Sequence, residues 1–95
     1  MKLAALHSVE KALSLKPFFK GEEGSVISIQ VKENEEMKDH ITKVPALLVC
    51  VSGEILYSEH TGKTVNLNAD EYVEIPAMIS HRFKGLANSS LLLIK

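Results

Sequence analysis

Two histidines occupy matched places in the two halves of this 95-residue chain: His40 lies thirteen residues before Gly53, and His81 five residues after Pro76. A neutral imidazole can ligate a first-row metal ion, or bond an organic ligand or water at the mouth of a pocket. By side-chain alternation, His81 is in phase with Ile79 and Phe83, and His40 with Thr42 and Ala46, so both rings are expected to point inward. Zinc, iron and manganese are usually held by three or more protein ligands. Here Thr42 offers a neutral hydroxyl and Ala46 nothing. His40 and His81 would therefore hold a divalent ion (zinc, nickel, iron or manganese) only weakly. The slightly favoured alternative is a ligand pocket at the same end, lined by Thr42, Ala46, Leu48 and Phe83.

Few other residues compete for a chemical role. Glu54, Glu59 and Glu71 fall near turns and do not read as inward acids; Glu74 lies on the phase opposite Val73 and Ile75, so either side is open to it, a solvated face being the commoner outcome. Cys50 lies about 13 Å along the strand from Ala46 and reads as a small core hydrophobe. Tyr57 and Tyr72 read as packing residues with wet hydroxyls, His60 as a hairpin-tip residue, and His7 as a chance histidine in an N-terminal arm. The run Glu33–Glu36 lacks the spaced oxygen ligands and glycine of a calcium loop.

The elements that must carry these groups are short strands. Ile27, Ile29 and Val31 alternate with Ser28, Gln30 and Lys32, and the same period recurs at Ile55/Tyr57, Val65/Leu67, Val73/Ile75 and Ile79/His81/Phe83. Turn residues separate them at positions 60–63, 68–70 and 85–88. Many short strands at regular spacing indicate an all-β sandwich or barrel of roughly eight to eleven strands. Residues 3–15 fit a short helix or an extended arm, ended by Pro17. Between 44 and 51 both faces are apolar: Val44, Ala46, Leu48 and Cys50 on one, Leu47, Val49 and Val51 on the other. Such a strand needs cover on both sides. The even positions should meet the core, and the odd ones the N-terminal arm or, preferably, a second copy in a homodimer.

The layout of the histidines resembles the cupin superfamily, in particular its small single-domain members. The first motif of that family reads G-x5-H-x-H-x3-E-x6-G, and anchoring it on Gly53 puts Ala46 at the acidic ligand, Thr42 at the second histidine and His40 at the first. The second reads G-x5-P-x-G-x2-H-x3-N. It keeps Pro76 and His81 but has Asp70, Met78 and Gly85 at its other positions. The resemblance covers residues 25–94 and implies an all-β double-stranded β-helix, a jelly-roll barrel, with a degenerate metal motif. Residues 1–95 would form one cupin domain, with 1–22 as arm or short helix and 25–94 as barrel.

Composition narrows the function further. With 11 basic and 12 acidic residues the net charge is −1, which gives no electrostatic footprint for nucleic acid or an acidic membrane surface. A single cysteine fits a reducing, cytoplasmic setting. The opening apolar residues are interrupted at His7, Ser8, Glu10 and Lys11, before a signal-peptide core could form. No stretch reaches the ~20 apolar residues of a membrane helix. The leading expectation is a small cupin-like protein that binds a small molecule in a barrel pocket, with weak or no metal binding. The alternatives are a small metal-dependent enzyme of the dioxygenase or isomerase kind, and a structural dimerisation module with a packed barrel.

Overall fold

β-branched and leucine side chains at every second position favour extended backbone, because alternate residues then share one buried face. In the computed structural model, which describes residues 1–95, these segments form nine strands. They are β1 (Leu13–Lys20), β2 (Ser25–Val31), β3 (Glu36–His40), β4 (Ala46–Ser52), β5 (Glu54–Glu59), β6 (Thr64–Asn68), β7 (Tyr72–Ile75), β8 (His81–Gly85) and β9 (Ser89–Ile94). The single helical element is a 3-10 turn at Leu3–Leu6, and no helix is long and apolar enough to cross a membrane. One sheet has the order β1-β2-β9-β4-β7 and the other β3-β8-β5-β6, with every pairing antiparallel.

The inner faces of the two sheets share one core. Ile29, Leu48, Cys50, Ile75 and Leu91 come from the larger sheet, and Ile55, Tyr57, Leu67 and Phe83 from the smaller. β4 behaves as its two-faced pattern predicts within the strand. Ala46, Leu48 and Cys50 are buried, while Leu47 and Val49 are half-buried on the outer face and Val51 is exposed. Val44 is exposed and lies before the strand, which starts after Pro45.

The N-terminal segment differs from expectation. Residues 13–20, read as part of an arm, form β1 and join the larger sheet at its edge, where Leu13 and Leu15 pair with Val31 and Ile29. Pro17 is tolerated there because an edge strand leaves one row of backbone groups unpaired. The register slips between Pro17 and Phe19. The remaining arm folds onto the outer face of β1 and β2. His7 bridges Ser14 Oγ (2.8 Å from Nδ1) and Ser28 Oγ (2.9 Å from Nε2), both hydroxyls being on buried residues. His7 is thus a structural clasp and not a chance histidine. Burial, and secondly the charge of Lys16, hold its pKa below the ordinary value.

Backbone conformation bears on the motif spacing as well. Three non-glycine residues have positive φ: Asn34 (67°), Asp70 (76°) and Met78 (65°). Asp70 and Met78 stand where the second cupin motif has glycine, and the opening glycine of the first motif, counted back from Gly53, falls on Asn34. Left-handed backbone is what a glycine would supply without strain. At Gly53 itself (φ 89°) a Cβ would collide with Ser89 and Asn88.

Candidate functional site at the barrel mouth

Register sets the site. His40 on β3 pairs with His81 on β8, which pairs in turn with Glu59 on β5, so three strands deliver one row at one end of the barrel. The His40 and His81 rings meet edge to face, their centroids 5.7 Å apart. His81 is only 2 % exposed, and its Nδ1 lies 3.3 Å from the Ile79 carbonyl. A carbonyl only accepts, so Nδ1 carries the proton and Nε2 keeps a lone pair. Burial is the main force holding the His81 pKa below its ordinary value. The charges of His40 and Lys95 add to this, while the Ile79 bond and Glu59 oppose it.

Tyr57 stacks on His81 at 6.0 Å and is fully buried. Its hydroxyl donates to Glu59 Oε2 at 2.8 Å, and Thr61 Oγ1 donates to Oε1 at 3.1 Å. Burial first, then the bond to Glu59 and its negative charge, push the Tyr57 phenol well above its usual range. Both residues depart from the expectations set for them. Glu59 was expected at a turn, yet it is 9 % exposed because β5 runs through it before the hairpin begins at His60. Tyr57 was expected to have a wet hydroxyl, yet a carboxylate takes that bond. Extending the Ile55/Tyr57 alternation by one more step would have found Glu59.

His40 was expected inside and is exposed. β3 carries an irregularity between Met37 and His40 and then ends, which breaks the phase with Thr42 and Ala46. Thr42 is 3 % exposed, and its Oγ1 has no hydrogen-bond partner. The expected pocket does not open between its four residues. Leu48 and Phe83 fill the packed core, no cavity is lined by Thr42 or Leu48, and Phe83 touches only a shallow surface cleft with Glu36, Leu56, Ser58, Arg82 and Lys84. Ala46 borders an open outer groove with Pro45, Ile75 and Pro76. Space at the histidine end lies instead in a cleft of about 250 Å3, lined by His81 and Glu59 with Asp39, Ser58, His60, Ser80 and Arg82, and by no apolar side chain. His60, a hairpin-tip residue, is exposed as expected.

The donor set does not fit a firmly held metal ion. No group of three or more His, Cys, Asp and Glu side chains is gathered for one. Both oxygens of Glu59, the buried carboxylate of the cleft, already accept hydrogen bonds. Cys50 is buried in the core, its thiol pushed up chiefly by burial and then by Glu71 and Glu54, against a weak bond to the Ser52 carbonyl.

Nine antiparallel strands in two facing sheets, with paired half-motifs meeting at one end, define the double-stranded β-helix fold of the cupin superfamily. Solved structures with this fold overlay on nearly the whole chain. A cupin superfamily protein from Desulfitobacterium hafniense superposes with a TM-score of 0.85 at 13% identity, over 98% of this chain and 84% of that one. An RmlC-like cupin from Desulfovibrio desulfuricans gives 0.84 at 14% identity, over 98% and 90%. An RmlC-like cupin with a double-stranded β-helix fold from Methanocaldococcus jannaschii gives 0.77 at 15% identity, over 94% and 84%. No protein-family model and no curated protein sequence matches the chain.

Proposed function

We propose that this cupin-fold protein binds a small polar molecule in the cleft at its histidine end and holds no tightly bound metal ion. The observation that carries this reading is the all-polar cleft, with a buried imidazole and a buried carboxylate in its lining. Polar groups buried at such a position cost free energy unless something bonds them. Of the two, Glu59 has both oxygens engaged, while His81 Nε2 has capacity left. Neutral His81 accepts at Nε2, so the ligand that suits it presents an O–H or N–H donor there. The lone thiol of Cys50 and the absence of a disulfide support a reducing, cytoplasmic setting.

The test uses untagged protein. Native mass spectrometry and elemental analysis should find a small organic molecule or nothing, and no stoichiometric metal. A thermal melt should rise only slightly with millimolar zinc or nickel, and His81→Ala should abolish that rise. Thr42→His with Ala46→Glu should create a much tighter metal site. Stoichiometric metal in the wild type would overturn the proposal in favour of a metal-dependent enzyme. No gain in the double variant would show the motif positions to be wrong.

A packed dimerisation module is the second reading. It is favoured by the filled interior around Leu48 and Phe83 together with the half-buried outer residues Leu47, Val49 and Leu92.

A further inference from the structure

A second cleft, of about 240 Å3 and lined by polar side chains together with Ala4, Val9 and Val31, lies between the N-terminal arm and the far end of the barrel. β8 leads there from the histidine mouth: it starts at His81 and ends at Gly85, whose carbonyl accepts from Asn34 N–H just after Lys32. Ser8, Val9 and Lys11 of the arm form one wall, Gln30 and Lys32 the floor, and Ser52 and Asn88 the opposite wall. Two hooks hold the arm wall in place. One is the His7 clasp on Ser14 and Ser28, and the other is Lys32 Nζ, which donates to the Val9 carbonyl at 2.7 Å.

The lining has a single sign of charge. Lys11 and Lys32 are its only formally charged side chains, and no carboxylate lines it, although the chain carries more acidic than basic residues. Glu10 and Glu33 adjoin the cleft in sequence without lining it. Its remaining groups are supplied with spare donors. Asn88 Oδ1 accepts from Glu33 N–H, which leaves its amide N–H groups free. Ser8 Oγ accepts from Glu10 N–H, which leaves its own proton free. Lys32 has two ammonium protons beyond the one given to Val9. His7 contributes no further donor, since both ring nitrogens are engaged.

We infer that this arm-built cleft binds a small oxyanion, a carboxylate or a phosphate, held by Lys11, Lys32 and the Asn88 amide. Charge-assisted bonds from ammonium groups to oxyanions are the strongest contacts these side chains can make. A cation would be repelled, and a neutral ligand would leave both lysines uncompensated. The site is separate from the histidine mouth and does not depend on what binds there.

The experiment is an amide chemical-shift titration of the full chain with inorganic phosphate and, separately, with succinate, against sodium chloride at matched ionic strength. Saturable shifts are expected at Ser8, Lys11, Lys32 and Asn88. Lys11→Gln should weaken binding about tenfold, the scale of one lost charge-assisted bond. Lys11 is exposed and hooks no other segment, so unchanged core resonances would show that the fold is intact. The anion with the tighter response identifies the source, phosphate or carboxylate. Shifts equal to those in chloride, or wild-type affinity in Lys11→Gln, would overturn the inference.

Discussion

Tyr57→Phe removes one oxygen from the barrel and leaves Glu59 Oε2 without its 2.8 Å donor. Tyr57 is fully buried and Glu59 is 9 % exposed, so water cannot readily replace that bond. A hydrogen bond to a charged group contributes ~1.5–3 kcal/mol net, and an unsatisfied buried acceptor costs a similar amount when its partner is deleted. We therefore expect a loss of about 2 kcal/mol. For a domain of this size a change of ~1 kcal/mol moves Tm by roughly 4–8 °C, so the fall should be about 8–16 °C. Differential scanning calorimetry on Tyr57→Phe and on Tyr72→Phe, whose ring is exposed, gives the comparison. The pair also predicts an alkaline signature. Folding raises the phenol pKa, so its stabilisation is complete below the unfolded value near 10 and is lost as pH rises above it. Wild type should lose stability above that point more steeply than Tyr57→Phe. A Tm for Tyr57→Phe indistinguishable from that of Tyr72→Phe would refute the reasoning, because the bond would then add nothing to the fold.

Other outcomes follow from single features. Met78→Gly should stabilise the protein by roughly 0.5–1 kcal/mol, since left-handed backbone costs a non-glycine residue about 1–2 kcal/mol and glycine's extra freedom offsets part of the gain. Denaturant titration checks this, and a destabilised variant would contradict it. The depressed His7 pKa means that the clasped arm keeps its full stability above the ordinary histidine value near 6.5 and loses it as pH falls below. Amide protection factors in residues 3–12, taken against the intrinsic rate at each pH, should fall on acidification in the wild type, and His7→Gln should remove that pH dependence. On the outer face Val49 pairs with Leu92 and Leu47 with Ile94, an apolar patch bordered by Glu74 that we propose is covered by a second copy of the chain. Sedimentation should show a dimer that Val49→Glu disperses and Arg82→Glu leaves intact; a wild-type monomer at high concentration would reject it.

The fold was readable because period-two alternation is a direct consequence of strand geometry, and turn residues marked where each strand stopped. Strands appear where the alternation marks them, at β2 and at β4 to β8, and residues 13–20 add β1, where Pro17 hid an edge strand behind its reputation as a breaker. The site was only half readable. His81 sits inside a regular strand and obeyed its phase. His40 sits past an irregularity in β3, which phase counting cannot see, and so came out exposed. Glu59 is the next step of the Ile55/Tyr57 alternation, and its place beside the hairpin masks that signal. His7 could not have been recognised from spacing alone, because its partners Ser14 and Ser28 come from two strands that only folding brings beneath it. The substituted motif positions were the most dependable part. Asp70 and Met78, at glycine positions of the second motif, both take the left-handed backbone that a glycine there would suit.

The edge strand β1 also bears on how the chain stays out of aggregates. Its outer side has no neighbour in the sheet order, and Leu15, Phe18 and Phe19 along it are exposed. An open row of backbone donors and acceptors flanked by such side chains is a template for pairing with another molecule's strand. Within this stretch stand Lys16, Pro17 and Lys20. The proline removes one donor from the strand, the slipped register at Phe18 interrupts its straight run, and the lysines place like charges wherever two copies would align. Those three residues serve as gatekeepers that let the barrel leave an apolar edge open to water without inviting fibrils.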